Sequence, residues 1–144
     1  MPVDFHSSAP LPQLAKWYLI VGLVLVLGGF GAATRVAPDP RGFGTHQQFG
    51  FPPCTFRIMF GITCPACGGT TCVAHFVRGH WIQSAKTHLS VFLLAVSALL
   101  YIPWSVVSLH TKTYWGLRDP VTFAVILLFS LSVISLIQWG THFI

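Results

Sequence analysis

The chain reads as an all-α membrane protein: three transmembrane helices, with a Cys-containing loop and a short interfacial helix between spans one and two. Three observations point there. The 144 residues are 53% hydrophobic and only 8% charged, whereas a soluble globular domain carries about 25% charged residues. Such a chain lacks the charge to coat a water-facing surface. Residues 17–33, 89–109 and 120–137 contain no charged side chain at all. Between the first two runs lies a Pro- and Gly-rich stretch that holds all four cysteines, Cys54, Cys64, Cys67 and Cys72.

A spanning helix needs about 20 mostly apolar residues. Lipid offers backbone N–H and C=O groups no partners, so each run is expected to be helical. The spans fall at about 15–34, 87–109 and 119–140, within a single membrane domain whose Cys-centred cap covers 35–86. The first run is longer than the roughly 7–15 apolar residues of a signal peptide, so it is kept as an anchor. Its Gly22, Gly28, Gly29 and Gly31 offer small positions where helices approach closely. Three spans put Lys16, Lys112 and Arg118 on one side. Arg35, Arg41, Arg57, Arg78 and Lys86 fall on the other. That leans the cap towards the cytoplasm.

The elements follow in order. Residues 1–13 form a polar, Pro-rich tail, and 35–53 an irregular loop whose prolines and glycines break regular structure. A short apolar piece, 56–62, leads to the cysteine pair. Helix is expected from Cys67 onward, capped near Thr70-Thr71, with Val73, Phe76 and Val77 on one stripe and Gly79 at its end. A second short helix starts at Trp81 and is expected to flow through His88 into span two. Lys112, Tyr114 and Trp115 suit the headgroup layer. Asp119-Pro120 opens the last helix with an N-cap and a Pro at its first position.

The formal charge of +5 fits headgroup contact and topology. No Lys/Arg cluster marks a nucleic-acid surface, so nucleic acid is not an expected partner. The acids are only Asp4, Asp39 and Asp119, which leaves carboxylate acid–base catalysis without its groups and points away from an enzyme of that kind. No charge lies inside a span, which disfavours ion or proton transport. The serines within the spans can bond their own helix carbonyls.

Chemistry therefore rests on Cys64-Pro65-Ala66-Cys67-Gly68. A C-x-x-C pair is commonly half of a metal site or a redox dithiol. Structural zinc takes four ligands. On a helix, His75 stands about 12 Å from Cys67, and Cys72 is rotated away and displaced by about 7.5 Å. Cys72 then reads as a small buried hydrophobe. The remaining candidates for a metal, zinc first, are His46, Cys54, Cys64 and Cys67. Asp39 is placed either to orient His46 or to make a turn. The redox alternative has Cys64 as attacking thiol, its pKa lowered by a helix N-terminus, and Cys67 as the resolving thiol. Cys54 and Cys72 are then a possible shuttle pair. An inert disulfide or four reduced cysteines is the plainest alternative. Haem attachment fails because Gly68 stands where C-x-x-C-H needs histidine.

The run Pro53-Cys54-Thr55 … Gly61-Ile62-Thr63-Cys64-Pro65-Ala66-Cys67-Gly68-Gly69-Thr70-Thr71 … Arg78-Gly79-His80 … Ala85 resembles a family of small bacterial multi-span membrane proteins with a domain of unknown function. Their pattern is a cysteine in a Pro/Cys loop, then C-P-x-C-G-x-T-[RT], a short helix, [RK]-G-[DN] and a membrane helix. The likeness covers roughly residues 42–105. Gly69 replaces a larger apolar residue, His80 an Asp or Asn, and Cys72 a small residue. The resemblance implies this architecture and a bacterial inner membrane, and supplies no mechanism. Together these readings favour a non-catalytic accessory or assembly protein with a zinc-held cap, working beside other membrane subunits in the bilayer. The alternatives are a thiol–disulfide oxidoreductase using Cys64 and Cys67, and a structural subunit with inert cysteines.

Overall fold

A computed structural model gives the fold. It describes residues 10–62, 64–114 and 120–141. Its three long helices are α1 (Gln13–Arg35), α5 (Leu89–Thr111) and α6 (Pro120–Thr141), of 23, 23 and 22 residues. At 1.5 Å rise each reaches about 33 Å or more, enough for a hydrocarbon core of about 30 Å. All three are apolar enough to cross a membrane, and little of each is buried inside the protein. Their apolar faces therefore meet lipid. No strand occurs among the described residues beyond a single bridge between Pro10 and Thr113. Pro120 is the first residue of α6, as expected of proline at that position. The expected Asp119 cap and Trp115 lie outside the described residues.

α5 is the middle helix: α1 and α6 both pack on it and not on each other among the described residues. Gly22 explains how closely α1 approaches. A Cβ there would sit 2.5 Å from Tyr101 Oη, and that hydroxyl donates to the Leu19 carbonyl at 3.1 Å. Gly28 and Gly31 face open space; of the four small positions, Gly22 is the one that meets a neighbouring helix. At the far end of the bundle the Leu11 amide donates to the Lys112 carbonyl at 2.9 Å. The start of α1 and the end of α5 thus share one end, as a three-span topology requires.

The cap occupies the other end. It comprises a 3-10 turn (Thr45–Phe49), α2 (Thr55–Phe60), α3 (Gly69–Phe76) and α4 (Trp81–Thr87). Three devices hold it down. The Arg78 guanidinium donates to the carbonyls of Ala33, Thr34 and Val36 at 3.2, 3.1 and 2.6 Å. These are the orphan acceptors at the end of α1, which a cationic donor suits. Thr45 Oγ1 and Thr71 Oγ1, both fully buried, stand 2.8 Å apart. Thr45 Oγ1 also accepts from the Asp39 amide at 3.0 Å, tying the irregular loop to α3. Phe76 packs between Phe30 of α1 and Phe92 of α5.

Two local expectations are corrected. α3 begins at Gly69, not at the cysteine pair, because Gly68 takes φ +93°. That left-handed turn interrupts any helix from Cys67. α4 does not flow into span two. His88 is extended at φ −160°, ψ 100° between α4 and α5, and its ring is drawn inward to the cysteine loop.

A candidate thiol centre at the cap

Cys64 and Cys67 sit on a tight turn, with the Cys67 amide bonded to the Cys64 carbonyl at 3.0 Å and the Gly69 amide to Ala66 at 3.1 Å. Gly68 is demanded twice. Its φ is left-handed, and a Cβ there would stand 2.7 Å from the Gly42 carbonyl oxygen. Close approach of the loop at 42 is what places the turn against the rest of the cap.

The turn is also pinned from the membrane side. The Pro65 carbonyl accepts from His88 Nε2 at 2.7 Å and from Ser135 Oγ of α6 at 2.8 Å. Since a carbonyl only accepts, Nε2 carries the proton, and Nδ1 accepts from Ser90 Oγ at 3.0 Å. His88 is nearly fully buried and both ring nitrogens are engaged. Both bonds escape sequence reading: Ser135 looks like the other span serines, and Ser97, Ser130 and Ser132 do bond their own helix at 2.8 Å. Only folding shows that Ser135 reaches 70 residues back instead.

Cys54 comes to the same place from the N-terminal end of α2. Cys54 and Cys64 stand close enough to shift each other's ionisation, and both influence Cys67. The three are free and half-buried. Their electrostatics differ. Cys54 makes no full capping bond to α2. Even so, the Arg57 amide beside its sulfur draws the thiol below its ordinary range, against some burial, with help from Cys64, the Phe56 amide and the Arg57 charge. Burial pushes Cys64 up, reinforced by the neighbouring Cys54 sulfur. Burial also raises Cys67, with the Cys54 charge second. The Arg57 guanidinium is held 4.0 Å over the Phe43 ring, a cation–π seat that keeps it near these sulfurs.

The expected attacking thiol was Cys64 at a helix N-terminus. With α3 starting five residues later, that support is gone, and the thiol held low is Cys54 at α2. Cys72 is fully buried as expected. Its Sγ lies 3.2 Å from the Ser84 carbonyl, 3.1 Å from Ser84 Oγ and 3.4 Å from the His88 carbonyl. Burial raises its pKa. Asp39 does not orient His46. It accepts from the Arg41 amide at 2.9 Å and pairs with the guanidinium at 2.7 Å, the turn role. Arg41 holds its carboxyl down at about 2.

His46 lies on the 3-10 turn. Among the described residues no group of three or more His, Cys, Asp or Glu side chains stands in an arrangement that holds a metal ion. The expected donor set His46, Cys54, Cys64 and Cys67 is not among such groups.

Beside the turn opens a cavity of about 570 Å3, shared by the loop at 40–43, Cys64, Pro65 and Cys67, the end of α4 and the last turns of α6. Residues 54–102 match the family model described as Protein of unknown function (DUF2752). The match begins at Cys54 and runs through all four cysteines, Arg57 and His88 into α5. His46 and Ser135 fall outside it. It agrees with the resemblance to a domain-of-unknown-function family and brings no activity with it. No curated protein and no solved structure matches the chain.

Proposed function

We propose that this chain is an integral membrane thiol–disulfide oxidoreductase whose centre is the series Cys54–Cys64–Cys67. The observation that carries the reading is the convergence of three half-buried free thiols from two segments, with Cys54, drawn low by the Arg57 amide, influencing both Cys64 and Cys67. Exchange needs a thiolate within reach of a sulfur that has a second thiol behind it. The Cys54 thiolate attacks a partner protein's disulfide. A mixed disulfide forms and the partner's other sulfur leaves as thiolate, taking a proton from water. Cys64 displaces the partner and leaves a Cys54–Cys64 disulfide. Cys67 then attacks Cys64, giving Cys64–Cys67 and freeing Cys54. Two electrons pass to the partner, and every step breaks one S–S bond as it forms another.

The trapping experiment uses Cys64→Ser. Without the displacing thiol, Cys54 is expected to accumulate a mixed disulfide, and Cys54→Ser in the same background to abolish it. No trapped species, together with Cys54 alkylating no faster than Cys72, removes the reading.

The second reading is the zinc-held cap of an accessory or assembly protein. Soft sulfur donors on two segments favour it. It needs a fourth ligand beside the three thiols. Stoichiometric zinc in the purified protein, lost with the fold in Cys67→Ser, would select it.

A further inference from the structure

The cavity beside Cys64 and Cys67 has features of a small-molecule site. Its volume of about 570 Å3 lies within the roughly 300–1,000 Å3 of ligand pockets. Its lining mixes polar groups with the rings of Phe43 and Trp139. Two cations border it, Arg41 and Lys86, in a chain with only eight. Arg41 is neutralised by Asp39, the only acid among the described residues. Lys86 is exposed at the end of α4 with no acid to pair with among those residues. The cavity therefore carries a net positive rim over two thiols. A folded protein presenting a disulfide needs a surface; a recess of this size suits a compact molecule.

We infer that this cavity binds a low-molecular-weight anionic thiol, with its carboxylate at Lys86 and its sulfur at the Cys64–Cys67 pair. This deepens the oxidoreductase reading and rests on it. It names the reductant that regenerates the centre. A thiolate RS− attacks the Cys64–Cys67 disulfide, forming a mixed disulfide as the protein's S–S bond breaks. The released cysteine thiolate takes a proton from water. A second RS− attacks the mixed disulfide, giving RSSR and the second free cysteine. Two electrons move from two small thiols to the protein.

The experiment compares glutathione, anionic at neutral pH, with uncharged 2-mercaptoethanol as reductants of the oxidised full chain in detergent. Lys86 is exposed, so its variants are expected to fold. Lys86→Glu is expected to slow glutathione about fivefold to tenfold, the effect of a charge contact worth about 1 kcal/mol or slightly more. The rate with 2-mercaptoethanol, whose only charge is on the attacking thiolate, should fall clearly less, Lys86→Arg should keep the glutathione rate, and added salt should shrink the difference. Equal change for both reductants, or no change, overturns the inference. Binding of S-methylglutathione, which cannot exchange, separates the two levels. It should bind the parent chain and lose affinity in Lys86→Glu. If it fails to bind while 2-mercaptoethanol still reduces Cys64–Cys67, the cavity assignment falls alone. If it binds with that Lys86 dependence and no disulfide exchanges, the anion site stands and the oxidoreductase reading falls.

Discussion

Cys54, Cys64, Cys67 and Cys72 share one side-chain chemistry and four different environments. Amides at the start of α2 hold Cys54 low, while burial raises the other three. Alkylation is therefore expected to be fastest at Cys54 and slowest at fully buried Cys72. The pH midpoint at Cys54 should lie below that at Cys67, read by peptide mass spectrometry. His75 gives a second pH effect. Burial chiefly lowers its pKa from 6.5, with His80 and Arg78 adding to it, and its Nδ1 is buried without a partner. A lowered folded pKa means the unfolded chain binds more protons just below 6.5. Stability is whole above that value and falls as pH drops through it towards the folded pKa. Thermal unfolding in detergent should show this loss, and His75→Gln should flatten it. Gly68→Ala forces a side chain onto a left-handed backbone and towards the Gly42 oxygen. It should cost about 1–3 kcal/mol or more and scatter the thiol centre. The identity of the chemically important residues was legible from C-x-x-C and Cys54. Their roles were not, because the low thiol depends on where α2 and α3 begin, and the left-handed Gly68 moves that start.

At the scale of elements, the cap is fastened to the spans by single polar side chains. Arg78 caps the end of α1 through three carbonyls. Arg78→Met keeps the apolar stem and removes the donors. It should cost about 2 kcal/mol, seen as faster hydrogen exchange over α3 and the end of α1, with α6 unaffected. Ser135→Ala removes one of the two bonds to the Pro65 carbonyl and should cost about 1 kcal/mol. The three long apolar helices were legible, because excluding charge from lipid leaves a direct trace in composition. The break at His88 left no trace. It exists because the imidazole reaches Pro65, 23 residues earlier, and no local pattern reports such a contact.

At the scale of the whole molecule, the bundle has two unlike ends. The Leu11–Lys112 bond closes one; the cap and its thiols form the other. A membrane-impermeant maleimide should therefore label Cys54 from one face of sealed vesicles, and an N-terminal tag should be accessible from the opposite face. The architecture was readable because it follows from bulk apolar content. The centre's chemistry was not, because it depends on whether three sulfurs meet as a tetrahedron or as a series. The most direct test of the series is to equilibrate the purified chain across a range of thiol-to-disulfide ratios and quantify its cysteine linkages by mass spectrometry. Reversible Cys54–Cys64 and Cys64–Cys67 disulfides, with Cys72 reduced throughout, are the expected result. Cysteines that stay reduced at every ratio while retaining one equivalent of zinc would contradict it.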